Sequence, residues 1–235
     1  MLLVIFFSVF LAILFPIIAL SFSVVLGRQG HRWFTVSSPA LFAIMLLALL
    51  LHLSANEGWD SLAALEFNSA GMNVEFYSWI AVAALIGGGQ YLLEKAIVMQ
   101  TRGQVPPPFE IETNTLYGGL IAFLVLVSVI AEELIWRAYL IPAIAQAWGV
   151  GLVWAALVAA FLFGVHHVYF GWQHLVFKAI HGIVWTAIFW ASGSLWTAIV
   201  AHAVFNYCVY FLSRRNFPIN NSSFEDSIVI RHKEF

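Results

Sequence analysis

Apolar residues in this chain come in long blocks rather than alternating with polar ones, and the blocks fall at about 3–26, 39–54, 77–99, 116–137, 150–170, 174–191 and 195–213. A helical stretch of ~20 apolar residues crosses the ~30 Å hydrocarbon core of a bilayer. In lipid every backbone N–H and C=O must be satisfied within the segment, which makes each block a helix. The pattern predicts an all-α fold, a polytopic transmembrane helical bundle of about seven to eight spans. The eighth comes from residues 138–148, which are apolar but carry Pro142 and Gln146 and are expected to form a kinked or interfacial helix.

The polar punctuation divides the chain. The run Q-V-P-P-P-F-E-I-E-T-N at 104–114 reads as a stiff polyproline elbow. It separates accessory N-terminal transmembrane helices in 1–105 from a working helical core in 115–213, followed by a polar tail in 214–235. Arg28 and Arg32 follow the first block, Glu57, Asp60, Glu66 and Glu75 crowd the loop after the second, and Arg214, Arg215, Arg231 and Lys233 lie in the tail. The positive-inside rule then favours an outside N-terminus and a cytoplasmic C-terminus. The first block lacks a basic leader and an A-x-A-like cleavage site, so it is expected to be a retained helix, and the ending R-H-K-E-F offers no lipidation box. Gly87, Gly88 and Gly89 are expected to break or kink the third span, or to let helices pack closely.

Composition sharpens the class. The chain is 62% hydrophobic and 9% charged, against roughly 45–50% and about 25% in soluble domains, and its 235 residues suffice for one bundle. A formal net charge of −2 leaves no broad basic face for nucleic acid. The single Cys208 excludes an internal disulfide and any Cys-rich zinc site. Tyr169 and Trp172 read as interfacial anchors.

Against this background the intramembrane polar groups need a reason, because a charge at bilayer depth costs about 2.5–3.5 kcal/mol on insertion scales. They gather in three blocks: Glu132, Glu133 and Arg137, then His166 and His167, then His202 and Asn206. Glu133 and Arg137 stand four residues apart with the acid first, the favourable order for a helical ion pair. Glu132, about 100° around the helix, has no such partner. His202 and Asn206 share one face by the same spacing, as do Phe163 and His167, with His166 turned away to replace or assist His167. Taken one at a time, each histidine could simply bond a neighbouring backbone; three helices doing so together weaken that explanation. A carboxylate beside a histidine can take a proton from water and return it to a leaving amine, so Glu132 and His167 could activate water. His202 or the Asn206 amide could hold an oxyanion. Peptide hydrolysis then needs no Ser or Cys nucleophile.

Three motifs in order support that chemistry: E-E-L-I-W-R fits EExxxR, F-G-V-H-H fits FxxxH ending at His167, and H-A-V-F-N fits HxxxN, preceded by G-S-L-W. Over about residues 115–212 the chain resembles the CAAX protease and bacteriocin-processing family, glutamic-type intramembrane proteases related to the Ras-converting CAAX endopeptidase. The resemblance implies Glu132 as the acid that activates water with His167, His202 and Asn206 as the oxyanion site, and Glu133 and Arg137 as supports. It also implies a membrane-associated protein or peptide substrate; separately, no cofactor is expected, and the chain is expected to reside in a bacterial plasma membrane. Ala138 stands where Gly commonly follows the Arg, and His166 doubles the motif histidine. The family includes prenyl-protein endopeptidases, bacteriocin maturation or immunity proteins and scaffolds, so membership does not name the substrate.

Rival readings remain open from the residues. Glu132, His167 and His202 have the composition of a catalytic zinc site, although no H-E-x-x-H helix supplies two ligands. A proton-coupled transporter would also place Glu and His in the membrane, but no inverted repeat of interrupted helices is present. A non-catalytic scaffold is the third. Simple alternation of spans sets Glu132 and His202 toward one membrane face and His167 near the other. Either residues 138–155 re-enter the membrane or the orientation is inverted.

Overall fold

The computed structural model describes residues 73–102, 115–168 and 172–212, with a few isolated positions before them. The first two expected spans, the polyproline elbow, Tyr169 and the polar tail lie outside the described residues or almost wholly so. Among the described residues every element is helical: α1 (Val74–Arg102), α2 (Thr115–Glu133), a π-helical segment (Leu134–Leu140), α3 (Ile141–Trp148), α4 (Leu152–His166), α5 (Trp172–Ser192), α6 (Leu195–Tyr207) and a second π-helical segment (Cys208–Leu212). The stretches Val74–Thr101, Gly118–Trp148 and Trp172–Ser192 are long and apolar enough to cross a membrane. Leu152–His166 and Leu195–Tyr210 are shorter apolar helices.

The path differs from expectation in two places. Gly87, Gly88 and Gly89 do not break α1, which runs unbroken from its Asn73 cap, where Oδ1 accepts the Phe76 N–H at 2.9 Å. The segment 138–148 is not a separate helix but continues the preceding one, Gly118–Trp148 being a single helical stretch of 31 residues. Its π-helical turn takes up a change of register just before Pro142, which then occupies the first turn of α3, where a missing N–H is tolerated. Reversal comes at Gly149, which adopts φ 63° while the Gly149 and Val150 N–H groups both bond the Ala145 carbonyl. That left-handed position is one that Gly occupies without strain.

Small residues set the helix contacts. α4 packs on α5, and α1 on α6. A Cβ at Gly164 would collide with the Leu175 carbonyl, one at Gly182 would crowd Ala160, and one at Gly87 would collide with the Ala201 carbonyl. In lipid, where apolar side chains gain little by leaving the solvent, such close backbone approach supplies the packing. Inside the bundle Trp136, Phe163, Trp185 and Phe205 are fully buried. Trp154 and Phe161 face outward, as expected for a lipid-facing surface.

Because α6 carries His202 one residue beyond the Gly87 contact, α1 sets the position of the site. Gly87→Ala is expected to destabilise the protein by about 1–3 kcal/mol through overpacking. Gly88→Ala and Gly89→Ala, with nothing within 4 Å of the added carbon, should be neutral or stabilising by up to about 1 kcal/mol. Thermal unfolding in detergent micelles distinguishes the three.

Candidate active site

Glu132 and Glu133 fall at the midpoint of the 31-residue Gly118–Trp148 helix, immediately before its π-helical turn. Widened turns of this kind recur at functional sites. Glu133 is fully buried and its Oε1 accepts from Arg137 at 2.9 Å, as the i, i+4 spacing predicts. The same oxygen lies 2.7 Å from His202 Nδ1, a contact between α6 and the end of α2 that no local spacing could announce. A carboxylate here accepts, so Nδ1 carries the proton it donates and Nε2 turns away from Glu133. Arg137 lies over the Phe163 ring at 4.5 Å and the Trp185 ring at 5.3 Å, which spreads its charge over aromatic faces.

Glu132 points elsewhere. It is 4% exposed, and its carboxylate and the ring nitrogens of His166 and His167 lie within 4.8 Å of one another. His202 Nε2 approaches Glu132 Oε2 at 3.8 Å. His167 sits in the turn just past α4, and its Nδ1 is 2.9 Å from the Phe163 carbonyl. A carbonyl can only accept, so in neutral His167 Nδ1 is the protonated nitrogen and Nε2 keeps the lone pair. His166 is buried, stacked on Phe163 at 6.2 Å and edge-on to Trp136 at 5.7 Å. Asn206 is half-buried on α6, one turn beyond His202.

The depth conflict between Glu132 and His167 disappears in this arrangement. From Trp148 back to Glu132 the helix falls about 24 Å, and from Leu152 to His166 the antiparallel α4 falls about 21 Å. The two levels therefore meet. Counting the Gly118–Trp148 helix as ending near 137 is what set them apart.

The zinc alternative is altered too. Among the described residues the compact set is Glu132, His166 and His167; His202, expected as a ligand in place of His166, has its Nε2 3.8 Å from Glu132 Oε2 and its Nδ1 bonded to Glu133. Zinc bonds of about 2.0–2.1 Å need tetrahedral ligand atoms about 3.3–3.4 Å apart, so the set would have to contract around an ion.

Further residues join the region without having been expected. The Trp185 indole lies nearly parallel to His202 at 4.2 Å and donates to Gln90 Oε1 at 2.7 Å. Beyond it Glu94 of α1 meets His174, Lys178 and His181 of α5 at 3.2, 3.5 and 3.8 Å. The 174, 178 and 181 spacing puts those three on one helix face, a signal present in the sequence; their meeting with Glu94 is not.

Breaking the shared carboxylate should be the costlier of the two glutamate changes. Glu133→Ala strands a buried guanidinium and is expected to destabilise by about 3–5 kcal/mol. Glu132→Ala, whose shortest ionic approach is 3.8 Å, should cost clearly less in denaturant unfolding.

No curated protein and no solved structure matches the chain. A family model does match, over the segment that carries all three motifs. Residues 114–208 match the family described as type II CAAX prenyl endopeptidase Rce1-like, in keeping with the CAAX protease family that the motifs resemble.

Proposed function

We propose that the protein is a membrane-embedded, glutamic-type endopeptidase that hydrolyses a peptide bond of a membrane-associated protein or peptide without a metal. The observation that carries this reading is the convergence of one buried carboxylate, Glu132, with the imidazoles of His166, His167 and His202. Glu132 and the Nε2 lone pair of His167 accept a proton from water as its oxygen attacks the scissile carbonyl carbon. The C–N bond then breaks, and the proton passes to the leaving amine. His202 Nε2 donates to the oxyanion as an imidazolium, whose charge the Glu133 carboxylate offsets, and the Asn206 amide provides a second donor. Such preorganised donors gain strength in a water-poor site. Arg137 keeps Glu133 in place and acts through it.

Glu132→Gln keeps the shape and removes the base. It is expected to lower kcat by about 10²–10⁴-fold, the usual worth of a general acid–base group, with unchanged helical circular dichroism. Substrates would be sought by comparing membrane peptides from cells carrying the wild-type protein and this variant; full activity in the variant defeats the proposal. Asn206→Ala should cost about 10²–10³-fold in kcat, as for loss of an oxyanion donor.

The proximity of Glu132, His166 and His167 is the one observation that favours a zinc-dependent reading. Chelators are expected to leave the turnover rate unchanged. One zinc per chain with turnover restored only by metal, and lost equally in His166→Ala and His167→Ala, would establish that reading instead.

A further inference from the structure

Between α1 and α5 runs a line of polar side chains that the hydrolytic roles leave unused. At its outer end, close to the C-terminus of α1 and the N-terminus of α5, Gln173 Nε2 lies 3.5 Å from Thr101 Oγ1, and Thr101 is exposed. Further in, Glu94 receives His174, Lys178 and His181. Further still, Gln90 bonds the Trp185 indole, which lies on His202. From Gln173 to Trp185 the line descends about 18 Å along α5. Phe205 of α6 closes one side, with Lys178 Nζ 3.7 Å from its ring centroid and the His181 ring at 4.7 Å.

Apolar residues would join two membrane helices at far lower cost, since buried charges and amides are expensive at bilayer depth. The line also leaves polar atoms unsatisfied at intervals along its length. Gln173 Oε1, Glu94 Oε2, His181 Nδ1 and Gln90 Nε2 are buried and have no hydrogen-bond partner among the described residues. Each such atom costs about 1–3 kcal/mol if nothing meets it. Glu94 Oε2 stands 3.5 Å from Lys178 Nζ and 3.8 Å from His181 Nε2, ion-pair approaches too long to be hydrogen bonds, so a water donating to this oxygen from beside them would complete its shell. Donors and acceptors recur from the exposed end to the ring stacked on His202, so bound waters would each find the two to four polar partners they need.

We propose that this seam is a hydrated path that admits water, and with it protons, from the membrane surface at Thr101 and Gln173 past Glu94 and His181 to the buried Glu132 and His202. Its role in supplying the reaction rests on the hydrolytic reading above; its hydration does not.

The test uses the full chain in native membranes with single cysteines, Cys208 being replaced by Ser. His181→Cys and, as a dry control, Ile121→Cys are treated with 2-aminoethyl methanethiosulfonate, which reacts with thiolates and so reports water. The cysteine at 181 is expected to react at least ~10-fold faster than the one at 121, which lies in apolar surroundings. Adding Gln173→Leu, or Thr101→Val if that variant does not fold, should slow the reaction at 181 about 10-fold by blocking the outer end. Equal rates at 181 and 121, or a rate at 181 indifferent to the outer block, would overturn the path. In the otherwise native chain, Gln173→Leu should lower kcat and leave KM unchanged. Full cleavage by Glu132→Gln would defeat the hydrolytic reading while the labelling result stands, so the two proposals fail separately.

Discussion

One carboxylate oxygen organises the interior of this bundle. Oε1 of Glu133 takes the Arg137 guanidinium from its own helix and the His202 imidazole from α6. Removing charges from water is costly, and the cost is met only when their partners are held in good geometry. Everything that fixes those partners therefore matters to the site: the π-helical turn that carries Arg137, the Phe163 and Trp185 rings that flank its guanidinium, and the close approach of α6 to α1 that brings His202 within reach. With Glu133 committed in this way, its neighbour Glu132 can face the histidines with its own charge uncommitted to a short ion pair.

The packing that serves this contact relies on missing side chains. Gly87, Gly164 and Gly182 each sit where a methyl group would meet another helix, at Ala201, Leu175 and Ala160. In a bilayer the apolar surfaces of the helices have no water to escape, so interhelical attraction comes from close dispersion contact and from polar bonds. Glycine contacts and the Glu133 and Glu94 clusters are thus complementary parts of one solution. The first lets backbones approach, and the second gives the approach a specific register.

That register explains why two polar clusters lie along neighbouring helices. α5 carries His174, Lys178 and His181 toward Glu94 of α1, and then Trp185 toward His202. Trp185 links the two clusters, donating to Gln90 of α1 while its ring stacks on His202. The site is best seen as the inner end of a polar layer between helices rather than as an isolated dyad.

The sequence by itself determined the helical class, because block-like hydrophobicity in lipid allows little else, and it determined the partners that lie within one helix. Glu133 with Arg137 and Phe163 with His167 are i, i+4 pairs, and helix geometry makes them neighbours wherever the helix goes. The three motifs likewise selected Glu132, His167, His202 and Asn206 without any coordinates. Tertiary structure alone decided the rest. It made Gly118–Trp148 one helix, which a Pro142 inside an apolar run could not reveal, since a π-helical turn absorbs what a straight reading counts as a break. That length brings Glu132 level with His166 and His167. It also decided that Glu133 holds His202, that His166 stands beside Glu132, and that Glu94 meets the 174, 178 and 181 face. Those contacts join residues far apart in the chain, and their distances follow from how helices stack, a quantity that spacing within any one helix does not contain.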